Sequence, residues 1–209
     1  MLIGMFDSPF VRRVAVTLKV LELTFEHANW SVGKDFERIR DYNPLGRVPT
    51  VVTDAGDPLI ESGAILDYLD ELAGAERALL PRSGQARRTA LRLIAIATGA
   101  AEKGVLQVYE TVFRPAEKRH KPWLARCRTQ MHAALDELEH ASAARANEPW
   151  LLGSAITQAD ITVVCAFDFL SDAFEFESTL YPSLGVLAAR CAQRAEFAAT
   201  RSRFHAPKP

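Results

Sequence analysis

Ser8 stands directly before Pro9 in the stretch "MFDSPFVRRV", where a short apolar run gives way to an amphipathic segment. That order reads as a helix start, because proline lacks the N–H that the first helical position leaves unpaired and its fixed φ suits the turn. A serine at the cap either bonds a backbone N–H and does nothing more, or also offers its hydroxyl to a ligand at the positive end of the helix. Three more features in the same part of the chain prepare a binding surface. In "RVPT" a proline enters a strand, where a cis Val48–Pro49 bond would turn the Val48 backbone toward a ligand. In "ESG" Ser62 is placed to cap a helix whose free N–H groups receive a carboxylate, while Glu61 beside it could hold an amine. Arg47 adds a cation at the rim, although by itself it reads as a solvated loop charge.

Other constellations fail on their own chemistry. Gly99 to Gly104 has the spacing of a phosphate loop, but Val105 follows where a lysine is required and no strand precedes it. Glu137 and His140 have the Glu-x-x-His spacing of a carboxylate-bridged metal site without a second such motif, so no metal is expected. Ser8 lies in no Gly-x-Ser-x-Gly turn, which removes the hydrolase reading.

Composition narrows the partners. A formal net charge of -1 over 209 residues gives no field broad enough for a polyanion, so nucleic acid is excluded. The apolar run before Asp7 is too short for a signal peptide, and the stretch from Leu93 to Ala101 is too short for a membrane span. Cys127, Cys165 and Cys191 are odd in number and lie in alanine-rich helical patterns, so they read as reduced thiols in a cytoplasmic protein with no membrane partner.

The elements that must position these groups fall into two parts. Before "LLPRSG", Leu2 to Met5 reads as a buried strand, and Val11, Val14, Ala15, Leu18 and Leu21 recur at helical spacing. A weaker strand spans Thr24 to Ala28, a short helix carries Phe36 and Ile39, and Thr50 to Thr53 pairs with Pro58 to Ile60 across "DAGD". Ile65, Leu66, Leu69 and Leu72 close this part with a helix. The order βαβ, helical connection, ββα predicts a small mixed sheet in an α/β domain over residues 1–79. Residues 80–209 predict an all-helical bundle, with long helices over Gln85 to Phe113 and Pro122 to Ala146. In "ITQADI" Thr157 is placed to cap a helix while Asp160 returns a bond to its backbone, and Ile156 and Ile161 form a hydrophobic staple.

The motifs "SPFVRRV", "NPLGRVPT", "ESGAILDYL" and "ITQADI", in this order and over nearly the whole chain, resemble a cytosolic glutathione transferase. The resemblance implies a thioredoxin-like N-terminal domain, an all-helical C-terminal domain and a glutathione site where the first faces the second. It implies that Val48 binds the peptide backbone of glutathione before a cis Pro49, that Glu61 and Ser62 hold the γ-glutamyl end, and that Arg47 holds the glycyl end with help from Lys34. Phe10 belongs to both the glutathione site and the acceptor pocket, which Tyr109, Phe113 and Trp123 would share unless they are bundle core. A symmetric homodimer is implied as well. Leu187 and Ala195 depart from the family's usual tryptophan and proline, which touches packing and not chemistry.

On this resemblance Ser8 becomes chemical, because a cysteine thiol of pKa about 8.5 is mostly protonated at neutral pH and only the thiolate attacks a small electrophile. A hydroxyl donating to the sulfur favours the thiolate. Family members with Cys-Pro-Phe here form mixed disulfides, but the first cysteine of this chain is Cys127, so dithiol chemistry through this motif is excluded. Serine resembles the conjugating and dehalogenating branches and leaves the class open. Some proteins that share this fold work as binding or interaction modules, which remains the alternative.

Overall fold

The computed structural model describes residues 1–174, 176 and 179–204. Strand β1 (Leu2–Ile3) is wholly buried and runs parallel to β2 (His27–Ala28) and antiparallel to β3 (Thr50–Val52). β4 (Pro58–Ile60) completes a four-stranded mixed sheet in the order β2-β1-β3-β4. The first strand is shorter than its apolar run, because Gly4 takes φ 129 and turns the chain out of the sheet. The second is also shorter than expected, although Leu2 N–H still donates to Glu26 O at 2.7 Å.

Helix α1 (Pro9–Val20) differs from the amphipathic helix that its spacing predicts, since Pro9 and every residue from Val11 to Leu18 are buried. It is covered twice, by α3 (Ser62–Ala73) in its own half and by α6 (Gln158–Phe174) in the helical half. A short α2 (Phe36–Arg40) buries only Ile39. After α3 the chain is tied down by Asp70, whose two carboxylate oxygens accept from Leu79 N and Leu80 N at 2.8 and 3.0 Å.

In the helical half, α4 (Gly84–Val112) packs on α5 (Lys121–Ala143) and α6. Gly104 permits a close crossing, because a Cβ there would stand 2.4 Å from Leu170 Cδ2 of α6. Gly99 and Gly104 both lie within α4, so their spacing belongs to a helix and not to a phosphate loop, and of the two only Gly104 serves a close helix crossing. Glu137 pairs with Arg92 at 2.6 Å, and Glu139 accepts the N–H groups of Ser183 and Leu184 at the start of α7 (Pro182–Ala192). A last turn, α8 (Ala195–Ala198), begins at the residue where the resemblance expects a proline.

One core spans both halves, from Leu2 and Val51 to Leu170 and Leu184. Polar clamps join them as well: Arg12 donates to Asp168 at 2.5 Å, and Thr17 Oγ1 to Gln158 Oε1 at 2.9 Å. The start of α6 differs in detail from the predicted capping box. Asp160 does accept from Thr157 N at 2.8 Å, but the Thr157 hydroxyl also donates to Asp160, and Leu151 N donates to its other oxygen. Asp160, wholly buried, gathers all three bonds; Ile161 is buried and Ile156 half-buried beside it. Cys127, Cys165 and Cys191 are free and buried. Among the described residues no helix is long and apolar enough to cross a membrane.

Candidate active site

Ser8 is the N-cap of α1, with extended backbone (φ -73, ψ 125) and Pro9 at the first helical position. Its Oγ accepts from Val11 N at 3.4 Å, a long bond. A hydroxyl has one proton and two lone pairs, so capping consumes a lone pair and leaves the proton available. The cap and the chemical role are therefore compatible. Ser8 is half-buried, at the end of a loop in which Phe6 stacks on His27 at 3.9 Å between ring centroids and His27 Nε2 hydrogen-bonds Gly4 O at 2.7 Å.

The Val48–Pro49 bond is cis, as its sequence context predicts. Val48 is brought against the start of α1 by Gly4: a Cβ on Gly4 would stand 2.5 Å from Val11 Cγ2 and 2.8 Å from Val48 Cβ. Asn43, buried, knits the loop that delivers Val48. Its Nδ2 donates to Arg47 O at 2.8 Å and its Oδ1 accepts from Leu45 N at 3.0 Å. The Arg47 side chain is exposed at the rim.

At the start of α3 the cap falls one residue earlier than the sequence suggests. Glu61, not Ser62, is the N-cap, with its carboxylate accepting from Gly63 N at 2.8 Å. Ser62 is the first helical residue and wholly buried; its hydroxyl accepts from Arg13 Nη2 at 2.7 Å and donates to Glu61 Oε1 at 3.3 Å. Glu61 is exposed and holds φ 70, a conformation that side chains other than glycine rarely adopt. A carboxylate has about four lone-pair sites, so two donors leave Glu61 room for an ammonium group.

From the helical half, Tyr109 comes within electrostatic reach of this surface. Burial pushes its phenol up, Arg47 pulls it down and Asp7 pushes it up. Tyr109 meets Phe113 edge to face at 5.1 Å, and Lys103 lies 5.7 Å from the Trp123 ring. These aromatics are not bundle core: Tyr109, Phe113 and Trp123 are 43%, 61% and 40% exposed. Phe10 is half-buried against the core. Lys34, exposed in the turn that leads into α2, joins none of these hydrogen bonds among the described residues. Among the described residues no group of three or more His, Cys, Asp or Glu is placed to hold a metal.

Two family descriptions match the chain, "Glutathione S-transferase, N-terminal domain" over residues 2–77 and "Glutathione S-transferase, C-terminal domain" over residues 121–184. An uncharacterized GST-like protein of Escherichia coli K12, YibF, is 31% identical over 170 residues, which is 81% of each chain. The chain belongs to the cytosolic glutathione S-transferase superfamily.

Two solved members of the superfamily share the whole fold. One, from Pseudomonas fluorescens Pf-5 with bound glutathione, is 32% identical with a TM-score of 0.83 and covers 96% of this chain and 97% of its own. The other, from Methylobacterium radiotolerans in complex with glutathione sulfonate, is 28% identical with a TM-score of 0.89, covering 100% and 97%. In this family member Arg13, Gly4, Asn43 and the Phe6–His27 stack frame the site, and sequence reasoning missed all of them. Asn43 alone left a local signal, since an asparagine before Pro44 and Gly46 is turn chemistry.

Proposed function

We propose that this chain is a glutathione transferase that activates the glutathione thiol for attack on a small, hydrophobic electrophile. The observation that carries the reading is Ser8: it caps α1 with one lone pair and keeps its proton, at the positive end of a helix. Donation to a bound sulfur would stabilise the thiolate by about 1.5 to 3 kcal/mol, roughly one to two pKa units. Glutathione is the cosubstrate and no metal is needed. Glutathione bound in the Pseudomonas fluorescens relative supports the same ligand here.

In this reading Glu61 takes the γ-glutamyl ammonium, and the helix start at Ser62 takes the neighbouring carboxylate. The Val48 backbone meets the tripeptide's own peptide groups, and Arg47 and Lys34 meet its glycyl carboxylate. Phe10, Tyr109, Phe113 and Trp123 offer apolar surface to the electrophile. The protein works as a homodimer in the cytoplasm.

Equilibrium titration with glutathione, followed by conjugation of an aryl halide, tests this reading. Saturable binding in the millimolar range or below, lost in Glu61→Gln, together with conjugation, is the expected result. No binding at millimolar glutathione would favour an interaction module built on the same fold. Fold alone does not separate the two.

A further inference from the structure

We propose that Arg13 is a positioning residue of the glutathione site: through the Ser62 hydroxyl it sets the orientation of the Glu61 carboxylate. The inference rests on the glutathione reading above and gives a role to a residue that makes no contact with the ligand in that reading.

Arg13 sits on the second turn of α1 and is 4% exposed. Its Nη2 donates to Ser62 Oγ, while Nε and Nη1 have no partner among the described residues. A buried guanidinium with unpaired donors is a poor stability device, since a well-packed apolar side chain would avoid the desolvation cost. What the cation does is fix polarity. A guanidinium only donates, so the Ser62 oxygen must accept from it, and the single Ser62 proton is directed to Glu61 Oε1 at 3.3 Å.

Glu61 is thereby held at both oxygens, by Ser62 on one side and by Gly63 N at 2.8 Å on the other. Gly63 leaves the space this needs, because a Cβ there would lie 2.9 Å from Glu61 Oε2. The positive φ of Glu61 completes a carboxylate pinned in backbone and side chain. Burial pulls the Arg13 guanidinium below its ordinary value, and Glu61 and Glu102, one from each half of the chain, offset part of that. Ser62, wholly buried and engaged on both sides, acts behind Glu61 and not beside it.

The test compares glutathione affinity, and KM against kcat at saturating electrophile, in the parent protein and in Arg13→Met, Arg13→Lys, Ser62→Ala and the Arg13→Met/Ser62→Ala double variant. Arg13→Met is expected to lose affinity about tenfold, as for one charged hydrogen bond, with kcat and the pKa of the bound thiol held. Arg13→Lys should recover part of that loss, and the double variant should be no poorer than Ser62→Ala. A merely structural role would lower the unfolding midpoint without separating KM from kcat. Unchanged affinity in Arg13→Met, or in Arg13→Gln should the first fail to fold, overturns the proposal, as does full additivity in the double variant. Absence of glutathione binding by the parent protein is a distinct failure, which overturns the functional reading and this inference with it.

Discussion

Gly4 approaches Val48 so closely that a Cβ on Gly4 would stand 2.8 Å from the Val48 Cβ. The same imagined atom would stand 2.5 Å from Val11 Cγ2 in the first turn of α1. Gly4 thus sets the spacing between the loop that carries Val48 and the helix that Ser8 caps. Gly4→Ala should destabilise the fold by about 1 to 3 kcal/mol from overpacking, with further strain because φ 129 suits only glycine. Glutathione affinity should fall too, since Val48 and Ser8 must separate. Chemical denaturation and a glutathione titration check this; a variant as stable as the parent would mean that the close approach is easily relaxed.

The parts of the site that were legible in the sequence are those built from local chemistry. Ser8-Pro9 is a helix start in two residues, the cis Val48–Pro49 bond follows a proline at a strand start, and Glu61-Ser62 lies where the last strand gives way to a helix. Arg13 was hidden because its partner, Ser62, lies far along the chain at the start of α3, and nothing local to α1 announces that contact. The cap at α3 slipped by one residue because Glu61 adopts φ 70, which nothing in a glutamate announces. The α4 and α5 aromatics follow helical spacing, yet Tyr109 and Phe113 lie at the end of α4, where the bundle does not enclose them. Helical periodicity reports a face and not what covers it.

Asp160 makes the second prediction. Burial pushes its carboxyl above the ordinary range, while donors from Leu151 and Thr157 pull it back. Because the folded value lies above the roughly 3.9 of a free aspartate, this group's contribution to stability is full below about pH 4 and is lost as pH rises through the folded value. Thr157→Ala removes one donor to the anion and raises that value further. The variant should lose about 1 to 3 kcal/mol at pH 7 and less at pH 4, where the protonated acid needs fewer donors. Urea midpoints at the two pH values check this, and a loss equal at both would place the Thr157 effect elsewhere.

Homodimerisation is the third. Leu72 of α3 and Leu91 of α4 are large apolar side chains left 53% and 44% exposed, one in each half of the chain. A symmetric interface that covers them would account for both. Sedimentation should give a dimer at micromolar concentration, and Leu91→Glu should weaken it at least about tenfold, equivalent to about 1.4 kcal/mol. A monomer in the parent protein would reject the idea.

Ser8→Ala separates binding from activation. Recognition of glutathione in the proposed site rests on Val48, Glu61 and the start of α3, so affinity should change little. The bound thiol should instead lose its donor and rise by about one to two pKa units, lowering conjugation near neutral pH roughly ten- to a hundredfold. Part of that loss should return at higher pH, where thiolate forms without help. The lost Val11 cap bond is long, at 3.4 Å, so the stability cost should stay at the low end of capping losses, about 0.5 to 1 kcal/mol. Ser8→Cys is the sharper variant, because a thiol at a helix start has a lowered pKa and becomes a nucleophile. Conjugation should drop while glutathione-dependent reduction of a disulfide substrate appears, the protein–glutathione mixed disulfide being resolved by a second glutathione. If both variants conjugate an aryl halide as fast as the parent at every pH, Ser8 is a cap alone and the sulfur is activated by another group.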